Sequence, residues 1–130
     1  MPRRASRYPT ELELDILKIL WRQGPGRVRD VRRGLAPRRK LAYTTVMTMM
    51  KIMVDKKYLA RRKDGDSFVY RSLVTRKKTT GRMLRDLLKR AFDGSAAALV
   101  LNLLDSDGLD ADEIRKLTEI LDRKSKEAGN

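Results

Sequence analysis

The chain has 130 residues, with 31 Lys or Arg against 17 Asp or Glu, a net charge of +14, 41% hydrophobic content and 5% aromatic content; this describes a globular protein with an aliphatic, helical core. It contains no cysteine and no histidine, which excludes a disulfide framework, a thiolate metal site and a redox switch and removes the commonest general base. No apolar run approaches the roughly 18 residues of a membrane-spanning helix, and the basic Pro2-Arg3-Arg4 is not followed by an apolar signal core, so a cytoplasmic protein without membrane insertion is expected.

In chain order, Thr10-Glu11-Leu12-Glu13 reads as a capping box, with Thr10 as N-cap and Glu13 three residues on, opening a helix toward Trp21. Ile16, Leu17, Leu20 and Trp21 set its apolar face, and Gly24-Pro25-Gly26 ends it. Val28, Val31 and Leu35 then predict a short second helix that closes near Gly34 to Pro37. Its Arg27, Arg29, Arg32 and Arg33 fit a phosphate-binding face and a merely solvated one equally well. The basic loop Arg38-Arg39-Lys40 leads into a third helix, where Val46, Met49, Met50 and Met53 recur at i, i+3, i+4 and i+7 while Thr44, Thr48, Lys51 and Asp55 fall opposite. Thr is a mediocre helix former, so Thr44, Thr45 and Thr48 within five positions point to a reason beyond propensity. The methionines and Trp21 are read as core.

Tyr58 to Lys63 and Ser67 to Val74 are strand-like runs that flank the turn signal Asp64-Gly65. Three helices and a hairpin describe a winged helix-turn-helix, with the hairpin as the wing. The rest is helical by period: Leu84, Leu87, Leu88, Ala91 and Phe92 up to Asp93-Gly94, then a helix capped by Ser95, then one opened by Asp110 and Glu113 that carries Ile114, Leu117, Ile120 and Leu121. In Leu99-Val100-Leu101-Asn102-Leu103-Leu104 apolar residues point nearly all round, which suits a helix sandwiched between subunits. The expected fold is thus mainly α with a small β-hairpin, a winged helix-turn-helix domain over 1–74 and a helical dimerisation domain over 75–130. The expected dimer interface is Leu84, Leu88, Leu99, Val100, Leu101, Leu103, Leu104, Ile114, Leu117 and Leu121.

Charge is unevenly placed. Residues 1–78 hold 22 basic and 7 acidic side chains, residues 79–130 hold 9 and 10, so the whole basic excess accompanies the third helix and the hairpin. That implies a polyanion contacted through phosphates. A helix stripe of hydroxyls and a lysine suits the major groove of double-stranded DNA, where Thr can bond base edges or touch a thymine methyl. Tyr43, Thr44, Thr45, Thr48 and Lys51 are the expected readers, and Arg38, Arg39, Lys40, Arg61, Arg62 and Lys63 the expected phosphate anchors. The alternative on the same charge is a non-specific architectural binder of nucleic acid. Catalysis is disfavoured, because Asp105, Asp107, Asp110, Asp112 and Glu113 are placed as helix caps and solubilising charge. Asp105-Ser106-Asp107-Gly108 lacks the ligand spacing of a calcium loop, and neither metal nor cofactor is expected.

Four segments carry a resemblance to a known family: Thr10-Glu11-Leu12-Glu13 through Ile19-Leu20-Trp21, Leu41-Ala42-Tyr43-Thr44-Thr45-Val46-Met47-Thr48, Phe68-Val69-Tyr70-Arg71-Ser72-Leu73-Val74, and Phe92-Asp93-Gly94-Ser95. The chain resembles, nearly end to end, the penicillinase repressor family, the BlaI/MecI/CopY group of bacterial winged-helix repressors. The resemblance implies a homodimer that represses transcription from a palindromic operator, with the third helix in the major groove and the C-terminal helices forming the dimer. In members governed by a membrane sensor of β-lactams, repression ends by cleavage within the dimerisation domain. Leu99 to Leu104 looks like that region, which implies a sensor protease as partner and a scissile bond between Asn102 and Leu103. The family favours an aromatic residue after the Asn, where this chain has Leu103. The copper-responsive branch carries a C-terminal cysteine cluster that is missing here. The family also usually has Lys-Gly after the reading helix; here Lys56-Lys57 stands instead, so the helix is expected to end differently.

Overall fold

The computed structural model describes residues 8–129, and the basic Pro2-Arg3-Arg4 lies outside the described residues. The elements run α1 (Glu11–Gln23), α2 (Val28–Leu35), α3 (Tyr43–Asp55), β1 (Leu59–Asp64), β2 (Ser67–Ser72), α4 (Arg76–Phe92), α5 (Ala96–Asp105) and α6 (Ala111–Ala128). Each expected helix is present. The Thr10 hydroxyl accepts the Glu13 N–H at 3.3 Å while Glu13 Oε1 accepts the Thr10 N–H at 2.9 Å, so two otherwise unpaired donors of the first turn are satisfied. Ser95 and Asp110 cap α5 and α6, as read from their positions.

Helix α2 closes at Leu35, within the expected stretch from Gly34 to Pro37, with Gly34 in its last turn. A Cβ on Gly34 would sit 2.5 Å from Ile19 Cδ1 and 2.9 Å from Ile19 Cγ2, so the missing side chain is what lets α1 and α2 approach. One local reading is corrected: α3 does not end differently for want of a glycine. Lys57 adopts the left-handed conformation itself, φ 69°, the Tyr58 N–H reaches the Met53 carbonyl at 2.9 Å and the Lys57 N–H reaches Val54 at 3.1 Å. This is the paired Schellman closure, made with a lysine in the glycine position.

Twelve buried apolar residues form one core: Ile16, Leu17, Ile19 and Leu20 from α1, Val28, Val31 and Leu35 from α2, Val46, Met50 and Met53 from α3, Leu59 from β1 and Tyr70 from β2. The hairpin is antiparallel, with Leu59 opposite Ser72 and Asp64 opposite Ser67. Its two-residue loop is therefore Gly65–Asp66, one position beyond the Asp64-Gly65 signal, and the positive φ of 66° falls on Gly65 alone, the pattern of a II′ turn. Gly26 adds a bridge to the sheet, exchanging backbone hydrogen bonds with Tyr70 at 3.0 and 2.8 Å. Trp21, read as plain core, is half-buried, and its indole N–H donates to the Val74 carbonyl at 2.9 Å and the Ser72 hydroxyl at 3.1 Å. It ties α1 to the exit of the wing.

Contacts divide the chain into Met1–Met83 and Leu84–Asn130. The division falls within α4, whose first turns belong with the N-terminal unit: Thr79 is buried, and the Arg76 guanidinium lies 5.3 Å from the centre of the Trp21 ring. The C-terminal unit is built differently, for no described residue in 84–129 is buried. Among the described residues no helix is long and apolar enough to cross a membrane.

The left-handed lysine generates a prediction. Lys57→Gly should raise stability by about 0.5–1 kcal/mol, the steric penalty removed less the larger entropy that glycine loses on folding. Chemical denaturation checks this, and an unchanged or lower midpoint would show that Lys57 carries no strain.

Candidate nucleic-acid interface

Helix α3 is anchored from behind and bare in front. Val46, Met50 and Met53 are at most 1% exposed, while Thr44, Thr45, Thr48, Lys51 and Asp55 are exposed, together with Tyr43 at 44% and Ile52 at 39%. At 100° per residue, Thr44, Thr48 and Lys51 form the centre of the exposed arc. Tyr43 and Met47 border it on the wing side, and Thr45 and Ile52 on the other. All five expected readers are therefore on one surface.

The C-terminal end of α3 is held by a charge pair. Glu13, 1% exposed, accepts from Lys56 Nζ at 2.9 Å. Burial pushes the Glu13 carboxyl up, but the Thr10 N–H and the Lys56 ammonium outweigh it and hold the group below its ordinary value. The same carboxylate thus closes the capping box of α1 and fixes the reading helix.

The expected anchors do not form a single set. Arg39 is committed to α1, with Nε 2.8 Å from Asp15 Oδ2 and a second nitrogen 3.3 Å from Glu11, and Arg38 stands 3.6 Å from Asp15. Asp15 is 7% exposed, so Arg39 neutralises a buried carboxylate. Lys40 is exposed and has no ion-pair partner among the described residues. On the wing, strand alternation puts Arg61 and Lys63 on the face of Leu59, which is buried, and Arg62 on the other. The Arg61 guanidinium lies 4.2 Å from the centre of the Phe68 ring, and Arg61 and Arg62 both border a further depression with Pro25, Val69 and Arg71.

Between α2, α3 and the wing lies a groove of about 610 Å³, and Arg29, Tyr43, Met47, Lys51, Arg61 and Phe68 are among its walls. The sequence singled out Tyr43, Lys51 and Arg61 but left Arg29 undecided. Burial of Val28, Val31 and Leu35 exposes all of Arg29, Arg32 and Arg33, and no periodicity says which of them meets α3. Arg32 is otherwise engaged, its Nε donating to the Leu41 carbonyl at 2.9 Å and so bracing the turn between α2 and α3. Among the described residues no group of acids could hold a metal ion.

A bare hydroxyl-bearing helix beside a basic two-stranded wing is the arrangement that known relatives can be compared with. The sequence model of the penicillinase repressor family matches residues 9–123. The chain belongs to the penicillinase repressor family. It is 26% identical over 113 residues to the penicillinase repressor of Bacillus licheniformis, across 87% of this chain and 88% of that protein. It is 33% identical over 109 residues to the transcriptional regulator BlaI of Mycobacterium tuberculosis, across 82% of this chain and 79% of that one. Among solved structures it is similar to the monomeric form of Bacillus licheniformis BlaI in complex with the blaP half-operator, with a TM-score of 0.46 and 23% identity over 53% of this chain and 84% of that chain. Membership in the family makes the chain a transcriptional repressor and not an enzyme.

The Glu13–Lys56 pair yields a prediction about acid. The native carboxyl lies below its ordinary value, so the stability it contributes is present above the unfolded-state value and is lost as pH falls through the native one. Glu13→Gln should cost about 1–2 kcal/mol at neutral pH, and the difference from the wild type should shrink below pH 4.5, the ordinary value of the group. Thermal unfolding followed from pH 7 to 3 tests this; a gap independent of pH would remove the charge from the account.

Proposed function

We propose that the chain is a homodimer that reads an inverted-repeat operator, with α3 in the major groove of each half-site and basic side chains of the wing and the loop before α3 on phosphates. The exposed arc of α3 carries this reading. Thr44, Thr48 and Lys51 stand at its centre with no apolar cover, and short hydroxyls and an ammonium on a rigid helix are suited to base edges. Arg29 beside α3, Lys40 in the loop before it, and Arg62 and Lys63 on the wing are exposed cations, which position without specifying. Arg39 is left out of this set because Asp15 and Glu11 hold it.

The pairing of two chains is supported by the state of the C-terminal unit. Leu84 and Leu87 are 48% exposed, Leu101 59%, Ile120 45% and Leu121 66%. Fewer than fifty residues with no buried side chain cannot offset the entropy of ordering three helical segments, so they need a partner surface. A second copy supplies a self-complementary one, and the dimer places two reading helices about one DNA turn apart.

Inactivation by a sensor protease between Asn102 and Leu103 belongs to the same proposal, with a physical condition. The bond lies within α5, where the Asn102 carbonyl accepts the Ser106 N–H at 3.0 Å and its hydroxyl at 2.7 Å. Proteases take extended chain, so scission requires α5 to open first, and helices with little buried area open at low cost.

Selection from a randomised duplex pool at near-physiological salt, with random-sequence competitor present, tests the proposal. Enrichment of an inverted repeat is expected; tight, salt-sensitive binding without enrichment would identify a non-specific architectural protein instead. On the selected site Thr48→Ala should change preference at one half-site position by about 1–3 kcal/mol. Arg62→Gln should weaken all sequences alike and reduce the salt slope by about one. Leu101→Asp should sediment as a monomer and lose roughly 10²- to 10⁴-fold in operator affinity; an intact dimer with unchanged affinity would refute the interface.

A further inference from the structure

The outer half of the wing has little to rest on. From Arg61 to Asp66 every residue is exposed, and the backbone bridge from Gly26 reaches only the middle of β2, at Tyr70. One side chain spans the remaining distance. Arg27, the residue after that bridge and the N-cap of α2, extends along the hairpin to its tip. One terminal nitrogen is 2.6 Å from Asp64 Oδ2. The other donates to the Asp64 carbonyl at 3.3 Å and to the Ser67 hydroxyl. Asp64 and Ser67 are the last paired residues before the loop, so a single guanidinium grips both strands at the point where they turn.

We propose that Arg27 is a latch that sets the pose of the wing, a positioning residue and not a phosphate contact. Its planar fork is occupied by three acceptors at once, and its side chain is only 29% exposed. Three of the five guanidinium N–H donors are thereby spent on a carboxylate, a carbonyl and a hydroxyl, and the carboxylate they hold opposes a phosphate beside them. The latch has a second consequence. Asp64 directly follows Arg61, Arg62 and Lys63, where a free carboxylate would repel the backbone that those cations attract; pairing it with Arg27 cancels that charge. Gly26 and Arg27 are adjacent, so the bridge at mid-strand and the grip at the tip both start from the entrance to α2. The wing and the helix-turn-helix are thereby tied into one rigid reading surface. The consequence for operators rests on the DNA-reading proposal above; the latch itself does not.

Two measurements on Arg27→Met, which keeps the aliphatic length, separate these. In the DNA-free protein, hydrogen exchange at the outer hairpin amides from Arg62 to Val69 should quicken by about tenfold while α3 amides are unchanged; unaltered exchange at the tip would overturn the latch. On the selected operator, Arg27→Met should lower affinity by about tenfold, and Asp64→Asn added to it should recover part of that loss by removing the carboxylate that Arg27 no longer cancels, leaving a double variant with the wild-type salt slope. A salt slope reduced by about one in that double variant would make Arg27 a phosphate contact and refute the proposal. Ser67→Ala with Asp64→Asn provides a second way to open the latch without touching Arg27 and should reproduce the exchange result. Failure of the wild type to select any site would count against operator reading alone, because the exchange experiment contains no DNA.

Discussion

Burial of one face of α3 is the interaction on which the rest depends. Val46, Met50 and Met53 go into the core formed by α1 and α2, each contributing on the order of 1.5–3 kcal/mol, and that anchoring leaves Thr44, Thr48 and Lys51 no choice but to face outward. The helix needs this support because its own propensity is poor. Ala42 offers no side-chain cap, and the threonines are weak helix formers. A sequence suited to contacting a base is locally a weak helix, and tertiary packing makes up the difference.

The surroundings of α3 are fixed mainly by ionic and polar contacts of long sequence separation. Glu13 joins the start of α1 to the end of α3 through Lys56, Arg32 braces the turn into α3, and Trp21 fastens α1 to the exit of the wing. Such contacts are directional, so they determine pose where apolar packing determines only proximity. They also explain why a surface so basic is not uniformly available to an anion. Arg39 and Arg27 spend their charge on carboxylates of the protein, while Lys40, Lys51, Arg29, Arg62 and Lys63 do not. The net charge of the first part overstates the number of groups free to meet phosphate.

The two units solve the problem of stability in opposite ways. The N-terminal unit closes a core around twelve buried apolar side chains, whereas the C-terminal one arranges leucines and isoleucines along three helical segments and buries none of them. The contrast is one of surface to volume. Three short helical stretches cannot enclose a centre by themselves, but they can present a long apolar face.

Element type and order were legible from the residues alone, because capping boxes, a 3.6 period and a turn glycine are local signals written within a few positions. Thr10 with Glu13, Ser95, Asp110 with Glu113 and Val46, Met50, Met53 are all of this kind, as is the exposure of Thr44, Thr48 and Lys51 that follows from the last set. What the sequence could not determine was which charges remain free. The distinction between Arg27 and Arg39 on one side and Arg29, Lys40 and Arg62 on the other depends on partners 37 and 24 positions away in the chain, and no period encodes that. The role of Gly34 against Ile19 and the left-handed lysine at position 57 were hidden for the same reason. Local pattern states what an element is, and only packing decides which neighbours its side chains meet.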